Sequence, residues 1–526
     1  MKSTLTPACA LLASRAGAIG CRLRACRLLR SLPAFVSIQL AVLAFDLDLL
    51  PEWTDERFSL EVAPRTLPEI AAWARGDVHP PLYFFLLHFW LQLPLPGSPL
   101  VRLRALSVVF ALTATWLLDR LWLRRLPAPT RLWFLLLWIT SPCLTLYARM
   151  ARSYTAQVVV AALALFTSWR WLERIEDWRR FALAGASLIL ALYVHYIPGG
   201  AILLAVNVSI AWRLLRERKW LWARALLSLD ATVALAMLPW WYGLSTSLHR
   251  WAGGGFPYHV GDNALLDTLA KLAYWFASFS FGETLPPWAL FAAAALTPPM
   301  VYFAWRGVQA RPLWLALVIL TAIVGFVGVA RWVSFPFIPA RLLFLLPFYF
   351  MLILDGCARH PRLKTVFCLT LLLTNAAGLY SYYTRTHFLN KGYAVPFDEI
   401  AELVEVGGSP SALVVIDVFN TDAYPLRDRI SLPTVLLEGE TALNRIVADI
   451  RRGKYKDVWH LRNTHDLSPG GLNRRLEQEL SIRCSVRRHL FMPYSAPERH
   501  LIRLLGWPEQ PTHFYQVLEA RRCRAD

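Results

Sequence analysis

Long apolar runs separated by short polar segments occupy most of the first 383 residues. A membrane-spanning helix needs roughly 20 mainly apolar residues, with some tolerance for tilt, and about eleven runs approach that length. These runs lie at residues 34–50, 100–119, 132–147, 154–171, 181–195, 198–215, 223–243, 288–305, 312–330, 339–357 and 364–383. The pattern predicts a polytopic α-helical membrane protein with about eleven transmembrane helices.

From residue 384 to the end, charged residues are spread throughout and the periodicity changes. Helix-like and strand-like segments alternate there, which is typical of a small three-layer α/β domain. The predicted helices are residues 397–404, 441–450 and 472–480, and the predicted strands are residues 412–416 and 457–461.

Clusters of Lys and Arg mark one side of the predicted bundle. One cluster lies in residues 1–33, and others follow at residues 120–125, 170–180 and 213–219. Because short cytoplasmic loops collect Lys and Arg, the amino terminus is expected in the cytoplasm. Residues 51–97 and 244–287 then form exoplasmic loops of a transmembrane domain spanning 34–383, and residues 384–526 form an exoplasmic domain.

The composition agrees with a membrane protein. Of the 526 residues, 56% are hydrophobic and 17% are charged, and the mean hydropathy is +0.40. A formal charge of +19 would suggest nucleic acid as the partner of a soluble protein, but here the cations sit in short loops. No nucleic-acid partner is therefore expected, whereas membrane lipids are.

The eight cysteines contain no C-x-x-C pair, so neither a zinc ribbon nor a redox motif is visible. Cys484 and Cys523 stand apart near the end of the chain. They could pair in an oxidising compartment, or they could be two unrelated thiols.

Four polar motifs lie at the predicted exoplasmic face. They are Thr-Asp-Glu-Arg at 54–57, Asp-Val-His-Pro-Pro-Leu-Tyr at 77–83, Arg-Met-Ala-Arg-Ser-Tyr at 149–154 and Pro-Ala-Arg-Leu-Leu at 339–343. Acidic residues are costly near lipid, so they indicate a water-filled cavity. In order and placement, the motifs resemble the bacterial GT-C glycosyltransferases, most closely the protein mannosyltransferase and aminoarabinose transferase group. Leu342 stands where that group has a tyrosine.

The resemblance implies an inverting glycosyltransferase. Such an enzyme moves a sugar from a polyisoprenyl-phosphate donor to an exoplasmic acceptor, which could be a glycan, a lipid or a protein. The reaction needs a base for the acceptor hydroxyl and cations for the departing phosphate. By the resemblance Asp55 is the base, and Glu56 orients it or binds the acceptor. The alternative is that both are solvated loop charges.

Three arginines are candidates for binding the donor phosphate. Arg149 and Arg152 are one helical turn apart, so both could face one phosphate group; alternatively they anchor a span at the membrane boundary. Arg341 is the third candidate, with a lipid-headgroup contact as its alternative.

Four further residues are candidates for substrate binding. Asp77 and His79 could contact a sugar or the acceptor, define a turn before Pro80, or hold a divalent metal ion, although two ligands are not a metal site. Tyr83 and Tyr154 could also contact substrate, and Tyr154 could instead belong to the aromatic belt of the membrane. No cofactor is predicted beyond that divalent ion.

Two other functions remain open at this stage. A transporter or flippase of lipid-linked intermediates would also carry charges in its cavity, and the same fold could serve as a non-catalytic assembly partner for envelope glycans. Charges grouped at one face favour surface chemistry on a lipid headgroup.

Overall fold

A computed structural model describes residues 31–77, 79–253, 264–310, 338–418, 423–463, 468–491, 498–500, 503 and 515–524. Of these residues, those up to 383 form a helical bundle, and an α/β domain begins at residue 397. The bundle helices are α1 (Leu32–Ala44), α2 (Thr54–Val62), α3 (Leu67–Arg75), α4 (Leu82–Leu91), α5 (Pro99–Leu121), α6 (Ala128–Ile139), α7 (Pro142–Ala148), α8 (Tyr154–Glu173), α9 (Trp178–Val194), α10 (Tyr196–Glu217), α11 (Trp220–Gly253), α12 (Ala264–Phe281), α13 (Leu290–Ala310), α14 (Leu346–Gly356) and α15 (Pro361–Tyr383).

The predicted polytopic α-helical fold is confirmed. Within the described ranges, seven helical segments are long and apolar enough to cross a membrane. They are Pro99–Arg125, Tyr154–Glu173, Tyr196–Glu217, Trp220–Thr246, Pro287–Gln309, Pro339–Gly356 and Pro361–Tyr383. The pair α6 and α7, bent by 51°, is an eighth candidate, so the chain is a multi-pass membrane protein.

The structure has fewer candidate spans than the eleven predicted, and three of the predicted apolar runs account for the difference. The run 34–50 contains only the 13-residue α1, because the helix ends at Ala44 and Asp46 takes a left-handed φ of 47°. The run 181–195 becomes α9, with 17 residues. The run 312–330 lies outside the described residues.

Two segments form the interior of the bundle. The share of the apolar window that is buried is 67% for Tyr154–Glu173 and 89% for Pro339–Gly356, whereas it is 44% or less for the other five spans. The second segment begins with a 3-10 helix, Pro339–Leu345, that packs against α8. Tyr154 and Arg341 are therefore held by the two most enclosed segments of the described bundle.

The predicted loop 51–97 contains three short helices, α2, α3 and α4. Both α2 and α3 begin with a capping box, in which Glu56 accepts from the backbone of Trp53 and Glu69 from the backbone of Thr66, each at 2.9 Å. The predicted helix over residues 67–75 and the helix following Pro81 are both present.

The segment 244–287, predicted as an exoplasmic loop, contains parts of two helices. Helix α11 continues through Gly253, ten residues beyond the predicted end at residue 243, and α12 covers Ala264–Phe281. Helix α11 also runs through Pro239. Residues 254–263, which include the motif Phe-Pro-Tyr, lie outside the described residues.

The carboxyl-terminal domain alternates strands and helices as the sequence predicts. Its elements are α16 (Phe397–Gly407), β1 (Leu413–Asp417), α17 (Ala423–Arg427), β2 (Thr434–Leu437), α18 (Glu440–Arg451), β3 (Val458–Asn463), α19 (Leu472–Arg483), β4 (Ser485–Phe491) and β5 (Tyr515–Arg521). The strand order is β2-β1-β3-β5-β4. Strands β1, β2 and β3 are parallel, and β5 runs antiparallel to both β3 and β4.

Alternating side chains of the sheet form two separate apolar cores. Val414 and Ile416 face α16 and α17, whereas Leu413 and Val415 face α18 and α19. Because successive strand residues point to opposite faces, both faces of β1 are buried. The predicted three-layer arrangement is therefore present.

Cys484 and Cys523 form a disulfide, with 4.2 Å between their Cα atoms. It joins the end of α19 to the segment that follows β5. Of the two alternatives left by the sequence, the structure shows pairing. The free cysteines of the described bundle, Cys143, Cys357 and Cys368, are buried.

Candidate active site

A buried ion pair between Glu56 and Arg104 lies beneath the first loop. Arg104 donates from Nε to Oε1 of Glu56 at 2.8 Å and from Nη2 to Oε2 at 2.7 Å, so the pair is bidentate. Glu56 is 0% exposed, and its two oxygens also accept from the backbone of Ala151 at 2.7 Å and of Trp53 at 2.9 Å. Each carboxylate oxygen therefore already accepts two hydrogen bonds.

Arg104 extends this network to the segment that follows α1. Its Nη1 donates to the carbonyls of Leu47 at 3.0 Å and Leu50 at 2.9 Å, and its Nη2 donates to the carbonyl of Pro51 at 3.0 Å. The guanidinium thus fixes residues 47–51 to α5. The predicted direct role of Glu56 in the reaction stays a prediction, and its contacts favour a positioning role.

Asp55 lies one position before Glu56 on α2, and its side chain is partly exposed. Tyr154 donates from its hydroxyl to Oδ2 of Asp55 at 3.3 Å. The Asp55 carboxylate also interacts electrostatically with Arg152 and Arg341, which come from segments far apart in the sequence. The structure therefore brings four of the predicted site residues together.

Arg152 connects this carboxylate to the second half of the loop. Its Nη1 donates to the backbone carbonyl of Asp55 at 3.1 Å, and its Nη2 lies 2.8 Å from Nε2 of His79. Burial disfavours the charged guanidinium, but the negative charge of Asp55 is among the interactions that raise the pKa of Arg152. The side chain is therefore a buried cation at neutral pH.

The contacts of His79 define its tautomer. An arginine can only donate, so Nε2 of His79 must accept from Arg152, and the ring proton must then be on Nδ1. Nδ1 lies 2.7 Å from Oδ2 of Asp77, to which it donates. Asp77, His79 and Arg152 thus form one hydrogen-bonded chain that orients the guanidinium.

This chain does not fit a divalent metal ion at Asp77 and His79. Both ring nitrogens of His79 are engaged, and the guanidinium of Arg152 would repel a cation placed beside it. The described residues contain no group of three or more His, Cys, Asp or Glu side chains that could hold a metal.

Tyr83 and Tyr154 are both buried beside these charges. The hydroxyl of Tyr83 lies 3.3 Å from Oγ of Ser107, and Ser107 donates to the carbonyl of Arg152 at 3.2 Å. Tyr154 contacts Asp55 directly, so its structural position differs from that of a lipid-facing aromatic residue. The predicted substrate contacts of both tyrosines stay predictions.

Arg149 and Arg152 are not on one helix, and the predicted binding of one phosphate by both arginines stays a prediction. Helix α7 ends at Ala148 and α8 starts at Tyr154, so the premise of one helical turn between them is wrong. Arg149 donates to the carbonyl of Phe45 at 2.6 Å and to the carbonyl of Asp46. It also lies over the ring of Tyr382 at 5.2 Å.

Two buried charged residues near the site were not identified from the sequence. Arg104 lies inside the predicted span 100–119, and a charge within an apolar run is a signal of function that could have found it. Glu283 accepts from Tyr274 at 2.5 Å, from Ser278 at 3.0 Å and from Tyr147, and burial raises its pKa. Glu283 is an acidic residue between two apolar segments of the sequence, so the same kind of signal could have identified it.

Comparison with known proteins identifies the fold. No protein-family model and no curated protein matches the chain. Among solved structures, ArnT from Cupriavidus metallidurans in the apo state aligns with a TM-score of 0.53 and 12% identity, covering 92% of this chain and 97% of ArnT. The structure of ArnT bound to undecaprenyl phosphate aligns with a TM-score of 0.51 and 13% identity, and it covers the same shares of both chains. ArnT is an aminoarabinose transferase of the GT-C class, so the predicted GT-C fold is confirmed.

Breaking the Glu56–Arg104 pair is expected to destabilise the protein strongly. In Glu56→Gln the charge of Arg104 stays buried without its partner, and losing one member of a buried pair costs about 3–5 kcal/mol. The expected result is a clear fall in the thermal unfolding temperature of the full chain in detergent.

Glu61→Gln is the matched control for this measurement. Glu61 is on the same helix, its side chain is 45% exposed, and it pairs with Arg57 at 2.8 Å. Exposed pairs contribute about 1 kcal/mol or less, so this variant should unfold close to the wild-type temperature. Equal unfolding temperatures for Glu56→Gln and Glu61→Gln would contradict the structural role of Glu56.

Proposed function

We propose that this protein is an inverting glycosyltransferase that moves a sugar from a polyisoprenyl-phosphate donor to an acceptor at the exoplasmic face. The observation that carries the proposal is the convergence of Asp55, Tyr154, Arg152 and Arg341 at one point of the bundle. The shared fold with ArnT, which has been solved with undecaprenyl phosphate bound, supports a lipid phosphate as the donor.

Asp55 is the proposed general base. Inverting transfer requires a carboxylate that takes the proton of the acceptor hydroxyl as that oxygen attacks the anomeric carbon. Of the two acids in this motif, Glu56 is fully buried and saturated by hydrogen bonds, whereas Asp55 is partly exposed and can be reached by an acceptor. Glu56 is therefore proposed as a positioning residue that fixes the first turn of α2.

Arg152 and Arg341 are the proposed partners of the leaving group. Negative charge develops on the lipid phosphate as the glycosidic bond breaks, and preorganised cations stabilise that charge. His79, held by Asp77, fixes the orientation of Arg152 before the donor binds. Arg149 is left out of this set, because its guanidinium binds the carbonyls of residues 45 and 46.

Asp55→Asn tests the base assignment. The amide keeps the size of the side chain and can still contact Tyr154, but it cannot accept the proton. The expected result is a loss of transfer rate on the order of 10²- to 10⁴-fold in a protein that still folds, followed as sugar release from a polyprenyl-phosphate donor. Glu61→Gln, on the same helix and exposed, is the control and should keep its rate. A rate near that of the wild type in Asp55→Asn would remove Asp55 as the base.

The carboxyl-terminal domain is proposed to lie on the exoplasmic side of the bacterial inner membrane, with the amino terminus in the cytoplasm. The Cys484–Cys523 disulfide supports this orientation, because disulfides persist in the periplasm and are rare in the cytoplasm. The arginine clusters at residues 120–125, 170–180 and 213–219 support the same orientation for the bundle.

Labelling of single cysteines in intact cells tests the orientation. Arg452→Cys places a thiol on an exposed position of the carboxyl-terminal domain, and Lys219→Cys places one between α10 and α11. A reagent that does not cross the inner membrane should label position 452 and spare position 219. Labelling at 219 together with protection at 452 would reverse the proposed orientation.

A further inference from the structure

His195 lies at the junction between α9 and α10, on the face of the bundle that carries the proposed site. Helices α8 and α9 pack against each other and are joined by only four residues, 174–177, so they run in opposite directions. The end of α9 therefore lies beside the start of α8. Helix α9 also contacts α4, and α10 contacts the 3-10 helix Pro339–Leu345. Three segments of the proposed site thus surround this junction.

The surroundings of His195 keep its ring neutral. The side chain is only partly exposed, and it interacts electrostatically with His79, Arg341 and Arg152. Burial lowers the pKa of His195 well below its ordinary value, and the two neighbouring arginines lower it further. At neutral pH the imidazole therefore carries a single proton, on one of its two nitrogens.

The contact of His195 with α10 defines which nitrogen carries this proton. Nδ1 accepts from the backbone N–H of Ile197 at 3.2 Å and so caps the first turn of α10. In a neutral ring the accepting nitrogen has no hydrogen, so the proton is on Nε2. Within the described part of the chain, Nε2 has no hydrogen-bond partner. This N–H group is therefore available to a ligand.

We propose that Nε2–H of His195 donates to a phosphate oxygen of the polyisoprenyl-phosphate donor, alongside the guanidinium groups of Arg152 and Arg341. This inference rests on the proposed function and adds a neutral donor to the two cations of the site. Both arginines can only donate, and the lone pair of Nδ1 is already engaged. A ligand group that meets all three side chains must therefore be an acceptor, and the oxygens of a phosphate can accept several hydrogen bonds at once.

The alternative role of His195 is that of a helix cap alone, and two substitutions separate the roles. In His195→Asn the side-chain oxygen can still accept from Ile197, and Asn is among the preferred N-cap residues, so this variant is expected to fold. Its shorter side chain places no N–H at the position of Nε2. In His195→Gln the longer side chain can present an N–H near that position.

Equilibrium binding of undecaprenyl phosphate to the full chain in detergent tests the proposal. His195→Asn should raise the dissociation constant about 10- to 100-fold, the loss expected for one hydrogen bond to a charged group. His195→Gln should bind more tightly than His195→Asn. An affinity of His195→Asn close to that of the wild type would overturn the proposal. Equal weakening in both variants would also overturn it, because the loss would then come from packing of the ring.

His88→Asn is the matched control. His88 is also a partly exposed histidine, and both of its ring nitrogens have partners: Nδ1 lies 3.1 Å from the carbonyl of Ala63, and Nε2 lies 2.9 Å from Nε2 of Gln92. This variant should leave the dissociation constant unchanged. A loss equal to that of His195→Asn would contradict a specific role of His195.

Arg152→Ala distinguishes a failure of this inference from a failure of the proposed function. If Arg152→Ala weakens the binding of undecaprenyl phosphate while His195→Asn binds it like the wild type, only the role of His195 is overturned. If the wild-type chain does not bind undecaprenyl phosphate, the proposed function is overturned together with this inference.

Discussion

The buried pair of Glu56 and Arg104 is the constraint on which the geometry of the first loop depends. It joins α2 to α5 and, through backbone contacts, to residues 47–51 and to Ala151. Consecutive residues on a helix are rotated by about 100°, so fixing Glu56 inward also fixes the direction of Asp55. The acidic pair of the motif thus has two roles: one acid holds the loop, and the other faces the cations of the proposed site.

The arginines divide in a similar way. Arg149 and Arg104 bind backbone carbonyls after α1 and hold the chain in place, whereas Arg152 and Arg341 act on the carboxylate of Asp55. The carboxyl-terminal domain adds contacts at the same face. Asp428 lies 3.4 Å from Arg57, two residues beyond Asp55. This domain therefore contacts the helix that carries the proposed base.

Most helices and strands whose apolar residues recur at regular spacing were predicted from the sequence. The bundle, the helix over residues 67–75 and the alternating elements of the tail follow from apolar spacing, which reports burial directly. The convergence of Asp55, Arg152 and Arg341 was predicted only through the order of motifs. The partners of individual charges were not predictable, because a sequence gives no distance between α2 and Arg104.

The errors have local physical causes. Arg149 and Arg152 were placed on one helix face, but the helix is broken between Ala148 and Tyr154, and the two guanidinium groups reach different partners. Helix α11 continues beyond residue 243, because a helix can extend past the apolar stretch that defines a membrane span.

The most direct test of this account is a cryo-electron microscopy structure of the full chain in lipid nanodiscs with a polyprenyl phosphate bound. The account predicts that the phosphate oxygens lie within hydrogen-bond distance of Arg152 and Arg341, with the Asp55 carboxylate facing the same cavity and Glu56 still paired with Arg104. A phosphate bound by Arg149, or one separated from Asp55 by the packed helices, would contradict it.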